Sequence, residues 1–410
     1  MAIVLPDISP RPCAECGMAG VHHGAERWLL RVDMFARPLT RFLDPLTRRF
    51  TPLVDVLINW TVPPVAWVLV KTGLALAVTD LRSHPSETTQ ALFEEAEKRG
   101  IQMWELRVLG LPRRIFLARY KGITWVFEGL PRPVRVQPSI SWIDDKAEVK
   151  RRFEKAEFPV PKGALCRTES RAKKVFESLH HPVIVKPHEG SGGRHVTVHI
   201  TTVGELVKAF RIARQVSPLV IVEEELTGPI YRATLVGRKL VGVLRRDPPH
   251  VVGDGRRTVR ELVAEENKNP LRRGPVFAEI NVDSPEGGRE LGWQKRTPDY
   301  VPMAGEVVHL HFKVNWGVGG VSRDATGETH PENKKLFEAI GEYLGDDIVG
   351  IDFMIPDIRK SWREERCGVI ECNSLPLIGN HHFPYTGEVW NVAGKIWDMI
   401  FPESSPTPEG

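Results

Sequence analysis

The 410-residue sequence lacks several features that would mark a special environment. Five cysteines are too few, and odd in number, for a disulfide-framed secreted domain. No uncharged apolar run reaches the roughly eighteen residues a spanning helix requires. The opening MAIVLPDISPRPCAEC has no basic stretch ahead of an apolar one, which makes it a poor secretory signal. Net charge is small, with 56 Lys and Arg against 52 Asp and Glu giving +4, so charge does not mark a nucleic-acid partner. The 11 tryptophans are scattered and build no aromatic ladder for stacking bases.

At 41% hydrophobic and 26% charged residues, the chain reads as an ordinary globular protein of a reducing compartment, expected to be cytoplasmic. The length suggests two or three domains. Residues 1–85 read as a helical extension. Within it, residues 27–60 alternate apolar groups with arginines and are broken at Pro38, Pro45 and Pro52. Residues 62–78 are apolar but interrupted by Pro63, Pro64, Lys71 and Gly73. A helical extension packed on the main body is the favoured reading. Peripheral membrane contact by residues 27–78 is the alternative.

Residues 86–140 read as a small α/β unit. Ser86 caps a helix that ends at Gly100, and strands follow in IQMWELRVLG, RRIFLARY and ITWVFEG. From residue 141 helices and strands mix without repeats, which points to an α/β fold of the α+β kind. YRATLVGRKLVGVLRR reads as a strand pair turning at Gly237.

Three stretches carry chemistry. VIVKPHEGSGGRHVTV, residues 183–198, places Lys186 at a strand end before Gly190, Ser191, Gly192 and Gly193. Glycines let backbone N–H groups approach a phosphate, and lysine adds a point charge. A strand rather than a helix follows, so this is neither a Walker loop nor a dinucleotide fingerprint. LVIVEEELTGP runs an apolar strand into Glu223, Glu224 and Leu226, a candidate adenine hinge. GIDFMI and VIECNSLP place Asp352, Glu371 and Asn373 on two strands. Residues i and i+2 of a strand share a face, and such oxygen donors suit Mg²⁺. Each stretch alone is weak, because Gly-rich turns and acidic strand ends are common.

Taken in order along the chain, the stretches resemble the ATP-grasp superfamily, most of all the ATP-grasp module of cyanophycin synthetases. LVGRKLVGVLRRDPPHVVGDGRRTVREL, VGGVSRDATGETHPEN and IVGIDFMIPDI add to the match, which covers roughly residues 141–402. Residues 403–410 are left as a tail. The resemblance implies an ATP- and Mg²⁺-dependent carboxylate–amine ligase working through an acyl phosphate on an amino acid or peptide. It implies that Lys146 and Lys186 contact phosphates, with residues 190–193 folding over them. Glu223, Glu224 and Leu226 then form the adenine hinge. Asp352, Glu371 and Asn373 hold two Mg²⁺, and Arg245 and Arg246 serve an acyl phosphate or an acceptor carboxylate. It also implies a homo-oligomer.

The sequence departs from the family pattern in places. Ile230 stands where an acidic ribose contact is usual, and Glu225 is the candidate substitute. NWGVGG has Gly317 and Val318 where relatives carry Ser-Thr. His195 replaces a usual glycine. A Mur-ligase-like second half is absent, so at most one ligation is expected. These departures motivate the alternative of a nucleotide-binding regulatory or scaffold protein with a decayed ATP-grasp site. Three weaker readings remain. Cys13 and Cys16 with His22 and His23 are a possible Zn²⁺ set, but the spacing is unlike a finger. Cys372 is expected to point away from the metal-binding face. His381 and His382 read as surface-loop residues, with the acceptor site as the alternative.

Overall fold

The computed structural model describes residue 53 and residues 56–109, 111–133, 142–190, 193–273 and 276–405, with backbone only at 111–114. The readings at residues 27–52, at Cys13 and Cys16, and at Ser191 and Gly192 lie outside the described residues. The chain divides into two compact units. One comprises Asp145–Leu226, and the described part of the other runs from residue 53 to Asp144 and from Thr227 to residue 405.

The Asp145–Leu226 unit is a four-stranded antiparallel sheet with helices on it. Its strands run in the order Gly163–Cys166, Val220–Glu224, Val183–Pro187, Thr197–Ile200. Helices Glu169–Glu177 and Val203–Ala213 lay an apolar stripe on the sheet, burying Ala172, Val175, Phe176, Leu206, Ala209 and Phe210 against Val183, Val185, Val220 and Val222. Both helices start where the sequence places a cap. Thr168 accepts from the Arg171 N–H, and Thr202 with Glu205 forms a reciprocal capping box. A third helix, Lys146–Lys155, is capped by Asp145, whose carboxylate accepts from the Ala147 and Glu148 N–H groups.

The other unit holds three sheets. The first is a four-stranded antiparallel meander: Ala75–Val78, Gln102–Val108, Leu111–Tyr120 and Ile123–Glu128. On one face it packs with helices Glu87–Lys98 and Val392–Ile400 around Leu92, Phe116, Phe127 and Trp397. Ser86 caps the first of these helices, as the sequence predicts. On the other face lies a helix over 56–71, which buries Ala66 against Leu106 and Leu117. The apolar stretch 62–78 is thus mostly helix, then strand, rather than a broken segment. The helix runs through Pro63 and Pro64, which forgo two backbone hydrogen bonds that burial of the inner face offsets.

The second sheet is five-stranded and antiparallel, in the order Val321–Asp324, Lys239–Asp247, Ile230–Val236, Ile348–Met354, Gly368–Asn373. Gly237, at φ +58°, turns the hairpin between the second and third of these strands. The third is a two-stranded ribbon, His250–Val252 with Val307–His309, which shares a core with helix Val259–Glu266. Gly253 follows the ribbon strand because a Cβ there would run into the Met303 carbonyl and Pro302.

Candidate functional site

In the Asp145–Leu226 unit two lysines, Lys150 and Lys186, meet one buried carboxylate. Glu223, next to last in its strand, is 4% exposed. Lys150 donates to Glu223 Oε2 at 3.1 Å, and Lys186 pairs with Oε1. Burial alone raises the Glu223 carboxyl, but Lys186 and Lys150 outweigh it and hold the group below its ordinary value. The position named as an adenine hinge therefore also pairs with Lys186, the lysine expected to contact phosphate. Sequence reasoning missed Lys150. The available signal is its i+4 spacing from Lys146, which puts both on one helix face.

The glycine loop is fixed at its near end. Lys146 Nζ donates to the Gly190 carbonyl at 2.7 Å. His188, buried, bonds Asp145 Oδ1 through Nε2 at 2.7 Å. Gly190, at φ +133°, has open space where a Cβ would stand, so conformation rather than crowding calls for glycine. His195 also sits in the left-handed region, at φ 54°, which accounts for glycine being usual there. Its buried Nδ1 bonds the Ile212 carbonyl at 3.0 Å. Along the hinge, the Glu224 and Glu225 N–H groups donate to the Lys162 and Pro182 carbonyls at 2.8 and 3.1 Å. The Glu225 carboxylate is engaged by His199, accepting its N–H at 2.6 Å and lying 2.7 Å from its Nδ1.

The five-stranded sheet brings the predicted oxygen donors together. Asp352 lies directly opposite Glu371, and Gly350 opposite Asn373, so Asp352, Glu371 and Asn373 share one face. Asp352 also lies opposite Arg232 on its other side. Arg232 grips the buried carboxylate by two hydrogen bonds, and Arg246 Nη1 approaches it at 3.4 Å. Burial raises the Asp352 carboxyl, but Arg232 and Arg246 outweigh it and the net shift is downward. Arg246 is pushed below its ordinary value by burial and by Arg232, with Asp352 acting against both. Its Nε is buried without a partner, as is Nδ2 of Asn373. The shared face of oxygen donors fits a hard divalent cation, to which Asn373 would offer Oδ1 rather than the unpartnered Nδ2. Among the described residues no cluster of three His, Cys, Asp or Glu could hold a metal ion. Cys372 is buried on the opposite side of its strand, where burial pushes its thiol well up. Sequence reasoning missed Arg232, whose signal was a lone charge in the otherwise apolar strand IYRATLV.

The predicted basic pair separates. Arg246 turns to Asp352, whereas Arg245 on the opposite side of the strand bonds both Asp247 oxygens at 2.8 Å. Arg245 and Asp247 line a cavity of about 860 Å³ with Arg257, Arg272, Arg323 and Tyr385. Ser322 also lines it, and its Oγ is buried without a partner. Beside the cavity's strands, NWGVGG forms a short 3₁₀ turn in which Asn315 accepts from the Gly317 N–H at 2.7 Å.

His381 and His382 are not surface-loop residues. His381 is fully buried and its Nε2 meets Thr234 Oγ1 at 2.7 Å, while His382 Nε2 accepts from the Ala393 N–H at 3.1 Å. Burial, the leading cause for both, lowers them to about 3 and about 4.

Comparison with known proteins gives the class. The chain belongs to the ATP-grasp superfamily. Residues 145–231 match the family model "Carbamoyl-phosphate synthase L chain, ATP binding domain". The chain is similar to cyanophycin synthetase of Nostoc sp., at 33% identity over 319 residues, covering 77% of this chain and 35% of that protein. It is also similar to the glutathione biosynthesis bifunctional protein of Clostridium perfringens, at 28% identity, covering 77% and 41%. Among solved structures, the bifunctional glutathione synthetase of Pasteurella multocida superposes with a TM-score of 0.56 at 28% identity, covering 77% of this chain and 43% of that one. The chain thus spans little more than a third of the length of the cyanophycin synthetase it matches.

Proposed function

We propose that the chain is an ATP- and Mg²⁺-dependent ligase that joins a carboxylate to an amine, with an amino acid or peptide among its substrates, in the cytoplasm. The observation that carries this reading is the row of oxygen donors Asp352, Glu371 and Asn373 on facing strands. A substrate carboxylate oxygen attacks the γ-phosphorus of ATP and ADP leaves. The amine nitrogen then attacks the acyl carbon, loses a proton, and phosphate leaves. No protein nucleophile is needed, because positioning and charge neutralisation do the work.

Asp352, Glu371 and Asn373 are the residues that would hold Mg²⁺, two ions in this reading. The ions supply neutralisation of phosphate charge. Lys146 and Lys186 bind phosphate oxygens, and Glu223 orients Lys186 until nucleotide arrives. Arg246 balances charge beside Asp352. Arg245 and Arg323 line a cavity whose volume suits a small-molecule or peptide-end substrate, and Arg245 is placed to accept a substrate carboxylate in exchange for Asp247. The decayed-site alternative is disfavoured because both lysines and all three oxygen donors are present.

A thermal-shift titration with Mg·ATP, followed by ADP release in the presence of pooled amino acids and short peptides, tests this. The reading requires stabilisation by Mg·ATP and ADP release that depends on an added carboxylate and amine. Absence of both would overturn it.

A further inference from the structure

The helix over 56–71 is amphipathic in reverse. Its inner face, with Ala66, Leu69 and Val70, packs on the meander sheet. At 100° per residue, Leu57, Trp60, Val65, Trp67 and Val68 fall on the outer half of the helix. All five are exposed, Trp60 at 75% and Trp67 at 64%. Thr61 on this face turns its hydroxyl back to the Leu57 carbonyl at 2.7 Å. Lys71 is the charged residue of the face, its Nζ 6.0 Å from the Trp67 ring centroid. Leu74 and Leu76, just beyond the helix, are exposed as well. A contiguous apolar face with two tryptophans marks an interaction surface rather than a face turned to water.

We propose that this face docks on an anionic lipid surface, with the helix lying in the interface. Tryptophan is favoured at headgroup level, and a lysine at the helix end can extend its ammonium to water. The sequence just ahead, residues 27–49, carries six arginines against two aspartates. Anionic lipid attracts that excess. Among the described residues no helix is long and apolar enough to cross a membrane, so the contact is with the surface.

Flotation of the full chain with phosphatidylcholine vesicles, with and without phosphatidylglycerol, tests the assignment. The comparison variants are Trp60→Glu/Trp67→Glu and, as an independent pair, Val65→Glu/Val68→Glu. All four side chains are exposed, so melting temperatures should match that of the parent. The expected result is flotation with phosphatidylglycerol vesicles that weakens with salt and falls at least about tenfold in both variants. Three results would overturn the proposal. One is no flotation of the parent chain. Another is flotation that the variants leave unchanged. The third is a concentration-dependent dimer, lost in the variants, without flotation.

Discussion

Arg232 holds Asp352 through two parallel hydrogen bonds, Nε to Oδ1 at 2.6 Å and Nη2 to Oδ2 at 2.9 Å, in the buried middle of the five-stranded sheet. A fork of this kind fixes the carboxylate plane as well as its charge. Asp352 is thereby a structural centre in addition to a proposed metal ligand. The two roles separate by mutation. Asp352→Ala leaves Arg232 and Arg246 buried without their shared counter-charge, and should cost about 3–5 kcal/mol in urea unfolding. Glu371→Gln lies outside that fork and should cost much less stability. It should nevertheless lower ADP-forming turnover by about a hundredfold or more. Equal stability losses in the two variants would show that the fork does not organise the sheet.

The link between Lys186 and Glu223 gives a second expectation. Lys186→Met should remove most of the thermal stabilisation by Mg·ATP, because ligand stabilisation tracks affinity. Glu223→Gln keeps both lysines but loses the charge that positions them. It should raise the KM for ATP with a smaller change in kcat. A Glu223→Gln protein with parental ATP affinity would remove the tether from the account.

The buried histidines predict the pH dependence of stability. In the folded protein His381 titrates at about 3, and His382 and His311 at about 4, burial being the leading cause for each. In the unfolded chain they take up protons near about 6.5. The unfolded state therefore binds more protons between those values. Stability should be full above about pH 6.5 and fall as pH drops toward about 4, by on the order of a few kcal/mol. His381→Asn should be less stable at neutral pH and show a shallower fall. Urea midpoints across this range measure both.

The cavity beside Arg245 predicts a kinetic signature. Arg245→Gln removes a charged donor from the proposed carboxylate site while keeping a neutral one. It should raise the KM for the carboxylate substrate by about ten- to a hundredfold and leave the KM for ATP near parental. An effect on ATP alone would assign Arg245 to the other side of the reaction.

Much of this was legible in the chain. The cap at Ser86, the strand pair turning at Gly237, and the shared face of Glu371 and Asn373 follow from local rules and appear as read. What was not legible depends on partners distant in sequence. Arg232 and Asp352 are 120 residues apart, and only the sheet register brings them opposite. Neighbouring Arg245 and Arg246 look like a pair, yet strand alternation sends them to different carboxylates. His381 and His382 look like a polar loop because the sequence does not show that Thr234 and the Ala393 N–H wait to receive them. Pro63 and Pro64 suggest a break, but a buried inner face carries the helix through them.

Mass spectrometry of the products formed from ATP, Mg²⁺ and a metabolite extract tests the ligase assignment most directly. The account predicts ADP and phosphate in equal amounts with a new amide whose mass is that of acid plus amine less water, absent with Glu371→Gln. Formation of AMP and pyrophosphate, or ADP release with no condensed product from any extract, would contradict it.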